Sequence, residues 1–528
     1  MVALSILYIS LSAILLMAGE ICLFWIAKGL SLGAFIFSLI TVAILGLVLF
    51  GLSYLWKKWD CSKRLARRGE LKFILESISA WILLTLGFML RMSFIGHMPV
   101  TLDADGQMVF TAARVLSGLE SFEAGEGVRQ YMALLPETYL YPRILGSLYE
   151  FFGYSEMAIP CLNVVLSILS SCFLWRAARK AAGSKAGLIC LFFACFSPSQ
   201  ILFLNHGAPE YLFLFFFVLS LYLYEVLREF VLEKRSLKAN WTRLERFLFL
   251  GLSGMMGIVL SLLAKSASQG MMISFIFLAL CILGFQKLSI SWPKPLGADP
   301  SIPKQTGRPA KPKFSWPKLS MQGFWKRPGI PALVVFVICT SLLNLSIDRE
   351  LGMESAKGIY AYGYSLLSGA NLDSVGSFNS KDSDYLYSRL QDNGSALDTQ
   401  KDCFDLAGKR RQEAGGRFLG LVLNKFAVLM SRDSFAGEMV FMAGEWTLLW
   451  LLLFSCAGLV IMYFKGDSRL SHLALIIFLS LIFFVYFECR ERYHFYLIAA
   501  LQMLTGYSYN EIFQKRKPCH DVTTQPRV

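Results

Sequence analysis

Residues 208–228 read APEYLFLFFFVLSLYLYEVLR, an apolar stretch with few polar interruptions. A helix of about twenty residues crosses a hydrocarbon core of roughly 30 Å. Because lipid offers no hydrogen-bonding partner, the backbone groups of such a stretch must be satisfied within it, which favours a helix. The alternation of apolar and polar residues that a membrane β-barrel needs does not run through the chain. The stretch therefore predicts a membrane-spanning helix.

Similar apolar stretches recur along the 528 residues, of which 55% are hydrophobic and only 17% charged. Soluble proteins carry roughly a quarter charged residues. We therefore expect an all-α polytopic membrane protein with about twelve transmembrane helices. The stretches are 2–27, 29–56, 73–95, 159–177, 187–205, 208–228, 246–264, 270–287, 330–347, 441–464, 470–487 and 494–512.

The net charge of +14 is concentrated in particular connections. The basic clusters fall at 57–72, 176–185, 234–246, 287–327 and 515–517. Threading the chain through the predicted spans puts all of them on one side, which the positive-inside rule assigns to the cytoplasm. The charge thus predicts a multi-pass protein of the cell membrane with both termini cytoplasmic. Because this distribution explains the surplus of positive charge by membrane orientation, we expect no nucleic-acid partner.

Two long connections, 96–158 and 348–440, fall on the extracytoplasmic side. They contain short helices by pattern, with one at 106–118 along the outer membrane surface. Another, at 138–153, is too short to span and suits a re-entrant or interfacial helix with tyrosines available for the headgroup zone. Those tyrosines are Tyr139, Tyr141 and Tyr149.

These features divide the chain into five predicted parts. They are two N-terminal helices with a basic loop (1–72), a transmembrane core with the first outer loop (73–288), a Pro/Lys-rich cytoplasmic linker (289–329), C-terminal transmembrane helices with the second outer loop (330–513) and a basic tail (514–528). Twelve cysteines form no disulfide framework. A pair between Cys403 and Cys489 is the one conceivable disulfide.

The stretch 99–108, PVTLDADGQM, places Asp103 and Asp105 directly after a predicted span. As loop acids, they can cap the helix that starts near Gly106. A carboxylate at this boundary can also accept the proton of a hydroxyl presented from outside. It can equally help to hold a divalent cation.

A second polar site lies at the outer turn that contains His206 and Glu210. Glu210 opens an apolar helix, where a carboxylate is stabilised by the helix N-terminus. The alternative is that Glu210 points into the same outer cavity as Asp105, as a substrate or metal residue with His206.

A third site is ECRERYHFY at 488–496, which brings charge to a membrane boundary. The arginines either pair locally with Glu488 and Glu491 or hold a phosphate through their planar forks. Lys265, at the outer end of another span, can meet the same phosphate. Three further ionisable residues lie inside predicted spans, where Glu76 can reach back to the basic loop before it. They are Glu20, Glu76 and Arg91.

In this order, the motifs resemble the GT-C family of polyprenyl-phosphate-sugar-dependent glycosyltransferases, in particular bacterial relatives of protein mannosyltransferase and of the aminoarabinose transferase that modifies lipid A. The similar segments are Asp105 with Ala113-Arg114, Leu140-Tyr141-Pro142, Phe152-Gly153, WRAARKAAGSKAGL at 175–188, FSPSQI at 196–201, Glu210, GANLDSVGSFNSKD at 369–382, and Glu488 with Arg492-Tyr493. The resemblance covers 75–230 and, more loosely, 440–510. The chain departs from it at Gly106, where the family has a second acid, and at Glu137-Thr138-Tyr139, where a Lys-Pro-Pro motif is usual.

The resemblance implies a GT-C-like fold and an inverting glycosyl transfer on the extracytoplasmic face. Asp105, with Asp103 beside it, would accept the proton from an acceptor hydroxyl. The donor would be a polyprenyl-phosphate-linked sugar, its tail in the lipid bilayer. Its phosphate would meet Arg490, Arg492, Tyr493 and Lys265. The acceptor would be a protein, a glycolipid or a cell-wall polymer, and the cofactor is open, with a divalent metal as one option.

The rival interpretation is a transporter or flippase of lipid-linked or anionic solutes. Such proteins place their key charges at mid-bilayer on broken helices rather than in long outer loops. The long outer loops of this chain favour the enzyme.

Overall fold

The computed structural model describes residues 69–100, 104–121, 125–237, 242–283, 328–430, 438–465, 467, 469–489 and 495–513. Regular structure in these ranges is helical, and no strand occurs within them, which confirms the predicted all-α class. The first two predicted spans, most of the linker and the C-terminal tail lie outside the described residues.

Five of the described helices are long and apolar enough to cross a membrane. They span Leu75–His97, Ala158–Ala182, Glu210–Glu233, Arg243–Ala264 and Gly329–Leu351. Shorter apolar helices cover Ser184–Phe196, Gly270–Leu283, Trp450–Lys465 and Ser471–Tyr486. These apolar helices are typical of an α-helical membrane protein. The number of twelve spans stays a prediction.

The helices are numbered in chain order. They are α1 (Gly69–His97), α2 (Ala104–Leu116), α3 (Glu126–Leu134), α4 (Leu140–Phe152), α5 (Ala158–Ala182), α6 (Ser184–Phe196), α7 (Pro198–Leu202), α8 (Glu210–Leu237), α9 (Arg243–Ala264), α10 (Gly270–Leu283), α11 (Gly329–Leu351), α12 (Gly363–Gly369), α13 (Ser380–Asn393), α14 (Ala396–Ala414), α15 (Arg417–Met430), α16 (Glu438–Lys465), α17 (Ser471–Tyr486) and α18 (Phe495–Phe513). Short 3₁₀ helices lie at Pro136–Thr138, Phe203–Asn205 and Gly358–Tyr362.

The stretch 187–205, predicted as one span, is broken. Helix α6 ends at Phe196, and α7 begins at Pro198. Proline has no N–H, so it cannot satisfy the carbonyl four residues before it. That carbonyl, Ala194 O, instead accepts a hydrogen bond of 2.9 Å from Arg91 Nη2. The predicted uninterrupted span is therefore wrong, and a buried arginine caps the end of α6.

Close backbone contacts hold the bundle together where glycine leaves room. A Cβ added at Gly257 on α9 would lie 2.4 Å from Ala332 O on α11. A Cβ at Gly506 on α18 would lie 2.5 Å from Ala186 O on α6. Small residues at helix interfaces are the usual means by which membrane helices approach each other.

Ion pairs join the helix termini at one end of the bundle, which we call the basic end. Glu76, at the start of the first described span, pairs with Arg179 at 3.1 Å. The side chains of the preceding basic loop, which the sequence offered as its partners, lie outside the described residues. His472 Nε2 lies 3.1 Å from Glu225 Oε1. The network also contains the pairs Lys180–Glu229, Arg228–Glu225, Lys465–Glu511 and Arg469–Glu511. Arg179 and Lys180 of the predicted basic cluster at 176–185 belong to this network, and the common side of all the basic clusters stays a prediction.

The two long connections pack together at the opposite end into a helical unit with its own core. We call residues 104–152 and 353–414 the two-loop unit. Met132 and Leu134 from the first connection share this core with Leu367 and Leu386 from the second. Ala356 N donates to Ala133 O at 2.8 Å, which joins the two connections through the backbone.

The short helices predicted in the first connection are present as α2 and α4. Much of their apolar faces, however, is covered by protein, although Phe151 and Phe152 at the end of α4 are exposed. The α2 residue Ala113 is fully buried, and a Cβ added at Gly146 on α4 would lie 2.9 Å from its carbonyl. The three tyrosines expected in the headgroup zone are buried, so that expectation is wrong. They are Tyr139, Tyr141 and Tyr149.

Candidate functional site

The predicted catalytic and phosphate-binding residues are only partly described. Asp103, Arg490, Arg492 and Tyr493 lie outside the described residues. Asp105 is the second residue of α2, whose backbone is described. Its position at the start of a helix that follows a span agrees with the sequence, and its role stays a prediction.

Asn205 forms hydrogen bonds with the segment 98–99, which precedes Asp105 in the chain. Its side-chain Nδ2 donates to Met98 O at 2.7 Å and to Pro99 O at 3.2 Å. These carbonyls lie between the end of α1 and the start of α2. The connection that carries the predicted catalytic acids is thereby attached to the turn before His206, which sequence reasoning did not foresee.

Asn163, fully buried on α5, joins three parts of the same end. Its Oδ1 accepts a hydrogen bond of 2.9 Å from the Tyr141 hydroxyl. Its Nδ2 donates to Leu204 O at 2.9 Å and to His206 O at 3.0 Å. A polar side chain buried inside a membrane helix needs such partners. The two-loop unit, the helix α5 and the turn that contains His206 are thus fixed to one another.

Glu210 and His206 border this polar group. His206 is buried, with its ring edge-on to Phe203 at 5.3 Å between centroids. Burial raises the pKa of the Tyr141 phenol, and the nearby Glu210 carboxylate raises it further. Glu210 therefore lies near Tyr141.

A divalent metal finds no complete ligand set in the described part of the chain. No group of three or more His, Cys, Asp or Glu side chains comes together there. Protein metal sites usually take three or four such ligands. His206 and Glu210 alone do not make one, so the metal stays a prediction that depends on residues outside the described ranges. Cys403 and Cys489 are free thiols, so the conceivable disulfide is not formed.

Lys265 is a buried cation at the end of a span. It caps the C-terminus of α9 and is only 7% exposed. Within the described residues it forms no hydrogen bond and no ion pair through its ammonium group. Burial lowers the pKa of Lys265, while the carboxylates of Glu137 and Asp348 partly offset that effect. Because a buried charge without a partner is costly, this lysine is well placed to receive an anion.

Glu137 faces Lys265 from the two-loop unit. It lies in the 3₁₀ helix Pro136–Thr138 and is also 7% exposed. Burial raises the pKa of Glu137 to about 7, and the charge of Glu488 adds to the rise. A hydrogen bond from its own backbone N–H and the charge of Lys265 act in the opposite direction. The sequence marked this segment only as a departure from the family motif, so Glu137 was missed.

Glu488 belongs to a segment that is pinned to the two-loop unit. Its backbone N–H donates to Ser365 O at 2.8 Å, and the next amide, of Cys489, donates to Gly376 O at 2.9 Å. The fully buried Lys425 donates to Phe487 O at 2.7 Å. Arg490, the first of the predicted phosphate-binding residues in this segment, follows directly. The position of that segment is thus set by contacts that its own sequence does not reveal.

Lys265, Glu137 and Glu488 form what we call the Lys265 cluster. It lies where the end of the bundle opposite the basic end meets the two-loop unit. One cation and two carboxylates, all nearly excluded from water, can bind an anion and exchange a proton. No family model matches the chain, and no curated protein shows significant similarity to it.

Proposed function

We propose that this chain is a membrane glycosyltransferase that moves a sugar from a polyprenyl-phosphate donor to a hydroxyl acceptor on the extracytoplasmic face. The observation that carries the proposal is Lys265. A lipid phosphate with its tail in the bilayer presents its charge at the end of the spans. A buried ammonium that lacks a contact partner among the described residues, at the end of α9, suits that charge.

The proposed orientation follows from charge. The basic end faces the cytoplasm under the positive-inside rule, so the two-loop unit and the Lys265 cluster face the exterior. Both termini are then cytoplasmic, and the protein resides in the cell membrane. A hydrophilic acceptor reaches the cluster from water while the donor reaches it from lipid.

The proposed reaction is an inverting displacement. Asp105 accepts the proton of the acceptor hydroxyl as that oxygen attacks the anomeric carbon. The bond between this carbon and the phosphate oxygen breaks, and the lipid phosphate leaves with the electron pair. Lys265, Arg490 and Arg492 stabilise the charge that develops on the leaving phosphate. Tyr493 and the turn with His206 and Glu210 complete the substrate surface.

The test is replacement of Asp105 by Asn, which keeps the shape and removes the base. We expect transfer to fall by roughly 10²- to 10⁴-fold, the usual contribution of a general base. The readout is an inventory of lipid-linked sugars and surface glycans in cells that carry no gene, the natural gene or the variant. Asp384→Asn, an exposed change on α13, is the matched control. Undiminished transfer by the Asp105→Asn protein would exclude the assigned base.

The transporter alternative draws on the broken helix α6–α7 and the charge of Arg91 beside it. Arg91 is fully buried and donates to Ser167 Oγ, Gly87 O, Cys195 O and Ala194 O. Its donors are occupied by the protein itself, which favours a structural role. A transporter would move the lipid-linked sugar without changing it, so the same inventory separates the two functions.

A further inference from the structure

Lys265 and Glu137 carry opposite charges and lie near each other without forming an ion pair. Lys265 ends a span, whereas Glu137 belongs to the two-loop unit. The positive charge of Lys265 lowers the pKa of Glu137, and the negative charge of Glu137 raises the pKa of Lys265. No ion pair forms between the two side chains in the described structure. An anion that binds Lys265 therefore does not have to break an existing contact. It must, however, tolerate a carboxylate beside it.

The surroundings of the pair single out Glu137 as the carboxylate that decides the local charge. Asp348, the other acid near Lys265, lies 2.6 Å from the ammonium of Lys357 and accepts hydrogen bonds from Ser355. The positive charge of Lys357 lowers the pKa of Lys265. Glu137 in turn faces Lys265, Glu488 and the Tyr362 phenol. Of the two acids near Lys265, Glu137 is the one without a cation in contact among the described residues.

We propose that Glu137 controls donor binding by competing, in its ionised form, with the donor phosphate for Lys265, and that protonation of Glu137 permits the phosphate to bind. This inference rests on the proposed donor site at Lys265. It gives the cluster a regulatory property: binding of the anionic donor is accompanied by uptake of one proton on the Glu137 carboxylate.

The direction of the pH effect follows from the charges. Because burial and Glu488 hold the pKa of Glu137 at about 7, its ionisation changes around neutral pH. Below that value the acid is neutral and Lys265 attracts an anion unopposed. Above it, the carboxylate repels the phosphate. Donor affinity therefore rises as the pH falls through about 7.

The experiment measures binding of methyl farnesyl phosphate, a phosphodiester whose charge is constant across this range, to the full-length protein in detergent. The proteins are the natural chain, Glu137→Gln, Lys265→Met and the control Glu126→Gln, an exposed change on α3. We expect the natural protein and the control to bind roughly tenfold more tightly at about pH 6 than at about pH 8.5, as a unit charge nearby implies. Glu137→Gln should bind tightly at both values and Lys265→Met weakly at both.

A second variant tests the same inference without altering Glu137. Glu488→Gln removes a charge that raises the pKa of Glu137, so the midpoint of the pH dependence should move to lower pH. An unmoved midpoint, or equal pH dependence in the natural protein and Glu137→Gln, overturns the proton control. If Lys265→Met still loses binding in that case, the donor site stands. Binding by Lys265→Met equal to that of the natural protein, or no binding by any of the proteins, overturns the donor site and the inference together.

Discussion

Arg91 shows how a charge is accommodated inside a predicted span. Its guanidinium reaches Cys195 O at 2.6 Å, Ser167 Oγ at 2.9 Å and Gly87 O at 3.1 Å, besides Ala194 O. Two of these acceptors belong to the end of α6, where Pro198 removes a backbone donor. The carbonyls left without a backbone donor at the helix break therefore accept hydrogen bonds from the buried guanidinium of Arg91.

Replacement of Arg91 by Met should destabilise the protein by about 3–5 kcal/mol, because the acceptors it satisfies would stay buried without a donor. Thermal unfolding in detergent measures the loss. Arg246→Met, at an exposed position in the first turn of α9, is the control and should change stability little. Equal melting temperatures for the two variants would show that Arg91 does not stabilise the α6 end.

Glu137 makes stability depend on pH. The folded protein keeps its proton up to a pKa of about 7, whereas the unfolded chain releases it near 4.5. A raised carboxyl pKa means that the folded state loses stability as the pH rises through this window. Glu137→Gln removes that loss, which corresponds to roughly 3 kcal/mol at about 1.4 kcal/mol per pKa unit.

The measurement is the melting temperature of both proteins across this range. Glu137→Gln should melt well above the natural protein at about pH 8 and close to it at about pH 4. The opposite order, or a constant difference at all pH values, would contradict a raised pKa.

Residues at the ends of apolar stretches were accessible to sequence reasoning, and residues buried by distant packing were not. Lys265 is a single lysine after an apolar helix, so its position at a boundary follows from hydropathy. Glu137 resembles any loop acid until the second connection covers it, since Tyr362, which is more than two hundred residues away, forms part of its surroundings. Nothing local in the sequence encodes that burial.

Helix α15 holds the residues 484–489, which precede the predicted phosphate-binding arginines in the chain. Lys425 donates to Phe484 O and Val485 O at 3.3 Å, in the last turn of α17, and to Phe487 O beyond it. Gly376 passes so close that an added Cβ would lie 1.9 Å from the Lys425 side chain. A cation at a helix C-terminus is stabilised by the unsatisfied carbonyls there. This element therefore joins α17 to the two-loop unit.

Replacement of Lys425 by Met should release the segment 487–489. Amide hydrogen exchange at Glu488 and Cys489 should accelerate by roughly tenfold or more, because each lost charged hydrogen bond contributes about 1.5–3 kcal/mol. Lys409→Met, an exposed change on α14, should leave this exchange unchanged. Unaltered protection in the Lys425→Met protein would show that the segment is held by other contacts.

At the level of elements, long apolar stretches with clear ends gave reliable helices. The two short helices α2 and α4 were also predicted, because their apolar residues recur at helical spacing. The stretch 187–205 was misjudged because hydropathy averages over Pro198, whose missing N–H ends the helix regardless of how apolar its neighbours are.

The whole molecule has two chemically distinct ends. One carries paired basic residues at the helix termini, and the other carries the two-loop unit. If the basic end is cytoplasmic, Lys409→Cys on α14 should react in intact cells with a membrane-impermeant maleimide. Lys185→Cys, at the start of α6, should react only after the cells are permeabilised. Both changes belong in a chain whose native cysteines are replaced, and reversed labelling would invert the proposed orientation.

The sequence predicted two long outer connections but not that they form one unit. Hydropathy and charge are read over neighbouring residues, whereas the contacts of Leu134 with the second connection depend on a partner, Gln400, that donates to its carbonyl at 2.8 Å. Such long-range pairings depend on the three-dimensional arrangement of the spans. The fold class was therefore predictable, and the architecture of the candidate site was not.

The shared core of the two-loop unit has a consequence for how the polypeptide can be made. Helix α10 ends at Leu283 and α11 begins at Gly329, so a chain cut between them leaves two fragments that each contribute residues to that core. The close packing of α9 against α11 at Gly257 adds a second interface between the two fragments. Two separately translated fragments should accordingly find each other in the bilayer and copurify as a noncovalent complex.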